Sequence, residues 1–165
     1  MALKSKIKLT KKDKSRSIYL KEFYKGYKDL DKSPDEIVST ISFKLPTQDS
    51  HFNFEKVSKR IHLDIASVNT AIQLTVSKNK ITQVHLSAGG VAPIPVYLGK
   101  TCAFLTDKVL SPEAVQSANE IIQTEINPIS DVRGFADYKR LLLRQLFYAH
   151  FITLFPDQFS LDSFK

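Results

Sequence analysis

Lys56 keeps unusual company. A strand over Phe52–Lys59 places Phe52, Phe54 and Lys56 on one side, so an ammonium shares a partly apolar surface with two phenyl rings. Such a lysine needs an anion or water; the plain structural alternative is a side chain that snorkels to solvent. Arg60 and Asp64 follow, four residues apart and close enough to pair. A second polar group, Ser130, Asp131 and Arg133, precedes a long helical pattern. There, hydroxyl and carboxylate groups make turn and cap bonds, and Asp131 and Arg133 are spaced for a local salt bridge. On residue chemistry alone both groups read as framework rather than catalysis.

The remaining reactive side chains are scattered. His51, His62, His85 and His150 are never three or four apart, so no helix carries a metal-binding pair. Cys102 is the sole cysteine, which excludes an internal disulfide and a multi-cysteine metal site. It falls on a stripe with Leu98 and Leu105 and reads as a core thiol. No nucleophile elbow, Walker loop or dinucleotide fingerprint is present. Gly89-Gly90 after a strand marks either a tight bend or a close approach to a phosphate, the bend being the commoner reason.

The elements that position these residues change period midway. Residues 1–19 read as a weak strand over 6–9 and a loop, followed by a short aromatic turn at 20–27. Glu36–Leu45 alternates, with Ile37, Ser39 and Ile41 on one face and Val38 and Thr40 on the other, until Pro46. Ser67–Val76 alternates most clearly, and Ser77-Lys78-Asn79-Lys80 turns it back into Ile81–Ala88 as a hairpin. After Pro93 and Pro95 the pattern is helical. Ser111-Pro112-Glu113 starts one helix, Asn127-Pro128 stops it, and a long helix runs from near Asp137 to about Phe155. The polar tail to Lys165 is expected to fray. Strands first and helices after predict an α+β fold, a three- to four-stranded antiparallel sheet with about three helices on one face.

The chain has 165 residues and a net charge of +7. Residues 1–34 hold eleven Lys or Arg against four acids, which accounts for all of that charge; the remainder is balanced. The basic N-terminal arm therefore reads as a solvated surface or as a phosphate-attracting segment for nucleic acid. No apolar run reaches the length of a membrane span, and no apolar leader follows Met1, so the expected compartment is the cytoplasm.

Taken in order, these stretches resemble a known family. The series runs Phe54-Glu55-Lys56-Val57-Ser58-Lys59-Arg60, Asp64-Ile65-Ala66, a hairpin, Gly89-Gly90-Val91-Ala92, then Asp131-Val132-Arg133-Gly134-Phe135-Ala136-Asp137-Tyr138-Lys139-Arg140. Ahead of it, Leu20-Lys21-Glu22-Phe23-Tyr24-Lys25-Gly26-Tyr27-Lys28 and Asp35-Glu36-Ile37-Val38 fit as well. The pattern is similar to the C-terminal domain of the FAD-binding flavoprotein component of molybdenum hydroxylases, the xanthine dehydrogenase and carbon monoxide dehydrogenase type. Phe135 departs from it, standing where the family has a small hydroxyl residue.

The resemblance implies a division into residues 1–46, a basic arm and the end of an FAD-binding subdomain; 47–156, the flavoprotein C-terminal α+β domain; and 157–165, a frayed tail. It implies FAD as cofactor, with Lys56 reaching it and Val38 contacting it from the start of a strand. Arg60, Asp64, Asp131 and Arg133 would be framework. The family's glycine-rich phosphate loops would lie ahead of residue 1, so the FAD site would be incomplete here, with no independent activity. Implied partners are the N-terminal FAD-binding region and the iron–sulfur and molybdopterin-binding components, with electrons passing from a molybdenum centre through the flavin to an acceptor. A homodimer through exposed strand edges is also expected. The alternatives are an interaction module without flavin chemistry, and nucleic-acid binding through the lysine-rich arm.

Overall fold

The computed structural model describes residues 1–165. Nine strands form three antiparallel sheets. The first contains β1 (Lys6–Lys11), β2 (Lys14–Tyr19) and β5 (Ile37–Ser42), in the order β2-β1-β5. A four-residue helix α1 (Leu20–Phe23) leads into a small ribbon of β3 (Tyr24–Gly26) and β4 (Asp29–Leu30). The principal sheet contains β6 (Ser50–Val57), β7 (Val68–Ser77), β8 (Lys80–Gly89) and β9 (Val96–Tyr97), paired in that order. Helices α2 (Gly99–Leu105), α3 (Pro112–Glu125) and α4 (Ala136–Leu154) follow.

The principal sheet has one packed face and one open face, as its period of two requires. Val68, Thr70, Ile72 and Leu74 of β7 and Val84, Leu86 and Ala88 of β8 point into the core. They pack with Leu98, Cys102 and Leu105, Val115, Ala118 and Ile122, and Leu143, Phe147 and Phe151 from the three helices. Lys78 and Asn79 both adopt positive φ, which twists the β7–β8 turn to match its strands. The Ser111 hydroxyl accepts from Ala114 N at 3.3 Å and Pro112 occupies the first turn, so α3 begins where its cap signals place it.

Three local expectations are corrected. The basic N-terminal segment is a β-hairpin rather than a short strand and loop. β2 is almost wholly exposed and shows no apolar alternation, because an edge strand held by backbone pairing to β1 needs none. In β5 the alternation breaks at Ser39: Val38 pairs with Leu9 and Thr40 with Lys8, leaving Ser39 as the extra residue of a bulge. Val38 and Ile41 consequently share the face of Leu9 and Ile7, and Ile37 does not. The tail also does not fray. Phe159 is buried, Leu161–Phe164 forms a 3-10 turn, and Phe164 stacks on Tyr148 at 4.3 Å.

Candidate functional site

Lys56 stands near the end of β6 on the open face of the principal sheet, beside the exposed rings of Phe52 and Phe54. The register carries that face across the sheet: Phe52 lies opposite Gln73, Phe54 opposite Ala71 and Lys56 opposite Asn69. The Lys56 ammonium donates to the carbonyl of Asp64 at 2.8 Å. One carbonyl leaves two of its three protons free for another acceptor or water.

The loop that supplies this carbonyl is built around the Asp64 carboxylate. Its two oxygens accept from Arg60 N at 2.8 Å and Ile65 N at 3.0 Å, and the Arg60 guanidinium lies 3.7 Å away. The Arg60 amide is the main reason the Asp64 carboxyl titrates below its ordinary range. With its polar groups turned inward to this carboxylate, the loop presents Ile61 and Leu63 to solvent, at 92% and 98% exposure.

The second polar stretch is held against the first. Lys59 Nζ donates to Val132 O at 2.6 Å, and Ser67 Oγ donates to Arg133 O at 2.9 Å. Segment 129–135 is pinned in turn by Lys139, which is only 2% exposed yet charged. Its ammonium donates to Ile129 O at 2.9 Å and pairs with Asp131 at 2.8 Å. The lysine is the leading cause of the lowered Asp131 pKa. Thus Asp131 meets Lys139, while Arg133 offers it only a backbone amide at 2.8 Å. Ser130 Oγ accepts from Ala136 N at 3.0 Å and satisfies an amide at the start of α4.

The structure therefore joins the two polar stretches into one corner of the domain. Lys59, Ser67 and Lys139 make the connection. Residue chemistry did not single them out, and the available signal was a basic pair, Lys139-Arg140, within five residues of the start of a helix, where acids are preferred. Val38 belongs to the other sheet, and no hydrogen bond joins it to Lys56. Both lie at strand ends remote from the 43–49 connection, four residues before the end of β5 and six after the start of β6. Cys102 is buried, accepts from Leu86 N at 3.2 Å, and its thiol is pushed up by burial. Gly90 has φ +83°, and a Cβ there would lie 2.3 Å from Ser67 O, so the double glycine serves a tight bend.

A four-stranded antiparallel sheet, helices on one face and a lysine-bearing open face opposite, defines the α+β class expected from the order of elements. Residues 53–154 match the family model of the CO dehydrogenase flavoprotein C-terminal domain, and the chain belongs to that family. It is 33% identical to xanthine dehydrogenase of Emericella nidulans, over 82% of this chain and 10% of that one. It is 28% identical to the glyceraldehyde dehydrogenase medium chain of Sulfolobus acidocaldarius, over 88% of this chain and 51% of that one. The crystal structure of a cyanide-inactivated Cu,Mo-CO dehydrogenase has the same fold, with a TM-score of 0.82 at 23% identity, over 88% of this chain and 51% of that one. The chain thus spans about half or less of these relatives. No helix is long and apolar enough to cross a membrane.

Proposed function

We propose that this chain forms one wall of a flavin site in a xanthine-dehydrogenase-like FAD subunit and has no catalysis of its own. The observation that carries this reading is the setting of Lys56, an ammonium with spare donors fixed between an open sheet and a self-bonded loop, next to two exposed phenyl rings. These groups fit the edge of a planar, carbonyl-bearing ring: Phe52 and Phe54 offer apolar contact, and Lys56 offers a charge-assisted hydrogen bond. Val38 would contribute apolar contact from β5. A bound flavin would supply the redox chemistry, between a molybdenum and iron–sulfur component and an acceptor. The chain's own residues bind and orient. Asp64 shapes the loop, Lys59 and Ser67 clamp it, and Lys139 holds the clamp's other jaw.

The remainder of the site, and the phosphate-binding loops, would come from an N-terminal FAD-binding region. The test is reconstitution. That region is produced separately and mixed with this chain, and quenching of FAD fluorescence is recorded. Quenching that needs both parts is expected, weakened about tenfold by Lys56→Ala, the loss of one charge-assisted hydrogen bond. A complex that forms without quenching FAD would instead make the chain an interaction module and return Lys56 to the role of a surface residue.

A further inference from the structure

Between the N-terminal sheet and the open face of the principal sheet lies a cleft of about 1020 Å³. Lys4, Lys6, Lys21 and Lys44 line it, and no aspartate or glutamate does. None of the four forms an ion pair. Of the fifteen lysines outside the cleft, five pair with an acid: Lys11 with Asp35, Lys25 with Asp31, Lys80 with Asp107, Lys139 with Asp131 and Lys165 with Asp162.

Two tyrosines hold the cleft's charge in place without neutralising it. Lys6 Nζ sits 5.0 Å from the centre of the Tyr19 ring, and Lys21 Nζ lies 5.2 Å from that of Tyr97 and 6.0 Å from that of Tyr19. Tyr97 comes from β9 and Tyr19 from β2, so Lys21 bridges the two sheets. At the cleft wall His85 Nδ1 bonds the Tyr97 hydroxyl at 2.6 Å, and His85 Nε2 is buried without a partner. Burial first, then Lys4 and Lys21, keeps this imidazole neutral, with its pKa lowered to about 4.

Four uncompensated ammonium groups around one concavity repel one another and attract a multiply charged anion. We propose that this cleft binds a pyrophosphate group, free or as part of a nucleotide, with Lys6 and Lys21 as its principal contacts. The three to four negative charges of pyrophosphate match the four lysines. Lysine binds phosphate oxygens as a point charge, without the planar fork that arginine offers to carboxylate and phosphate alike. The volume leaves room for a nucleoside. The cleft touches the end of β5 at Ser42 and the start of β6 at Ser50, about 20 Å along β6 from Lys56 at the usual rise per residue. Lys56 is therefore not part of the cleft.

Calorimetric titration of the full chain at low salt, with inorganic pyrophosphate, ADP and adenosine as separate probes, tests it. Pyrophosphate and ADP are expected to bind and adenosine not to. The double variant Lys6→Gln/Lys21→Gln should weaken binding about 30-fold, two contact charges being lost, while Lys14→Gln on the outer strand leaves it unchanged. The His85 ring resonances should shift on binding. Tighter ADP than pyrophosphate would identify a nucleotide; equal affinities would identify the inorganic ion. Absence of heat with both anions, an equal loss in Lys14→Gln, or tighter binding of a single-stranded oligonucleotide would overturn the proposal.

Discussion

His150 shows how a polar residue becomes structural once its partners are fixed. It is fully buried in α4, against the principal sheet. Asn53 Nδ2 donates to its Nδ1 at 3.0 Å, which places the proton on Nε2, facing Thr70 Oγ1 at 3.4 Å. Thr70 passes its own proton to Ser87 O at 2.9 Å. The chain of bonds is satisfied only by a neutral imidazole, and burial lowers the His150 pKa to about 3. In the unfolded chain the ring protonates near its ordinary value. Folded stability from this group is therefore complete above pH 6.5 and is lost as pH falls toward 3. Between pH 7.5 and 5 the loss should be about 2 kcal/mol, read as a falling urea midpoint. His150→Leu should be less stable overall but show a flatter slope across that interval. His85 shifts in the same direction, so some slope remains.

At the scale of elements, joints carry the exacting requirements. The N-terminus of α2 is capped from the far end of α3: Glu125 accepts from Lys100 N and Thr101 N, both at 2.8 Å, and from the Thr101 hydroxyl at 2.6 Å. The bend after β8 depends on Gly90, where positive φ and contact with the Ser67 carbonyl both exclude a side chain. Gly90→Ala should cost about 2–4 kcal/mol in a denaturation experiment, the sum of left-handed strain and the displaced strand β7. Because Ser67 also donates to Arg133 O, the substitution should loosen the clamp on segment 129–135, seen as faster amide exchange there. Gly89-Gly90 was legible as a bend from composition. Its coupling to the 129–135 segment was not, because that contact spans 66 residues of sequence.

For the whole molecule, the two larger sheets keep separate cores. Ile7, Leu9 and Phe23 form the smaller one, apart from the cluster of 21 buried residues under the principal sheet. The N-terminal unit is reinforced by Arg16, whose guanidinium bonds Glu36 and Asp31 at 2.8 Å each. Its edge strand β5 leaves Ile37, Val38 and Ile41 exposed. An apolar edge with unpaired backbone groups invites a further strand. The isolated chain is expected to dimerise through β5 as concentration rises, and Ile41→Lys should suppress this. Light scattering that finds only monomer at every concentration would remove the expectation.

The sequence by itself determined the class of fold, the order of the principal strands and helices after residue 36, and the motif series that identifies the family. Those features live in local periodicity, cap residues and turn chemistry, all written within a few residues of one another. It also put Lys56 on a face with Phe52 and Phe54, because a regular strand alternates without outside help. Only the tertiary structure decided the rest. The bulge at Ser39 moved Val38 to the face of Ile41, since one extra residue inverts the alternation and only pairing with β1 reveals it. Asp131 chose Lys139 over its nearer neighbour Arg133 because the helix turns that lysine inward. The tail is held by Tyr148 and Phe151, and the lysine cleft is closed by strands more than fifty residues apart. Such contacts are set by packing across the whole chain, and no local pattern encodes them.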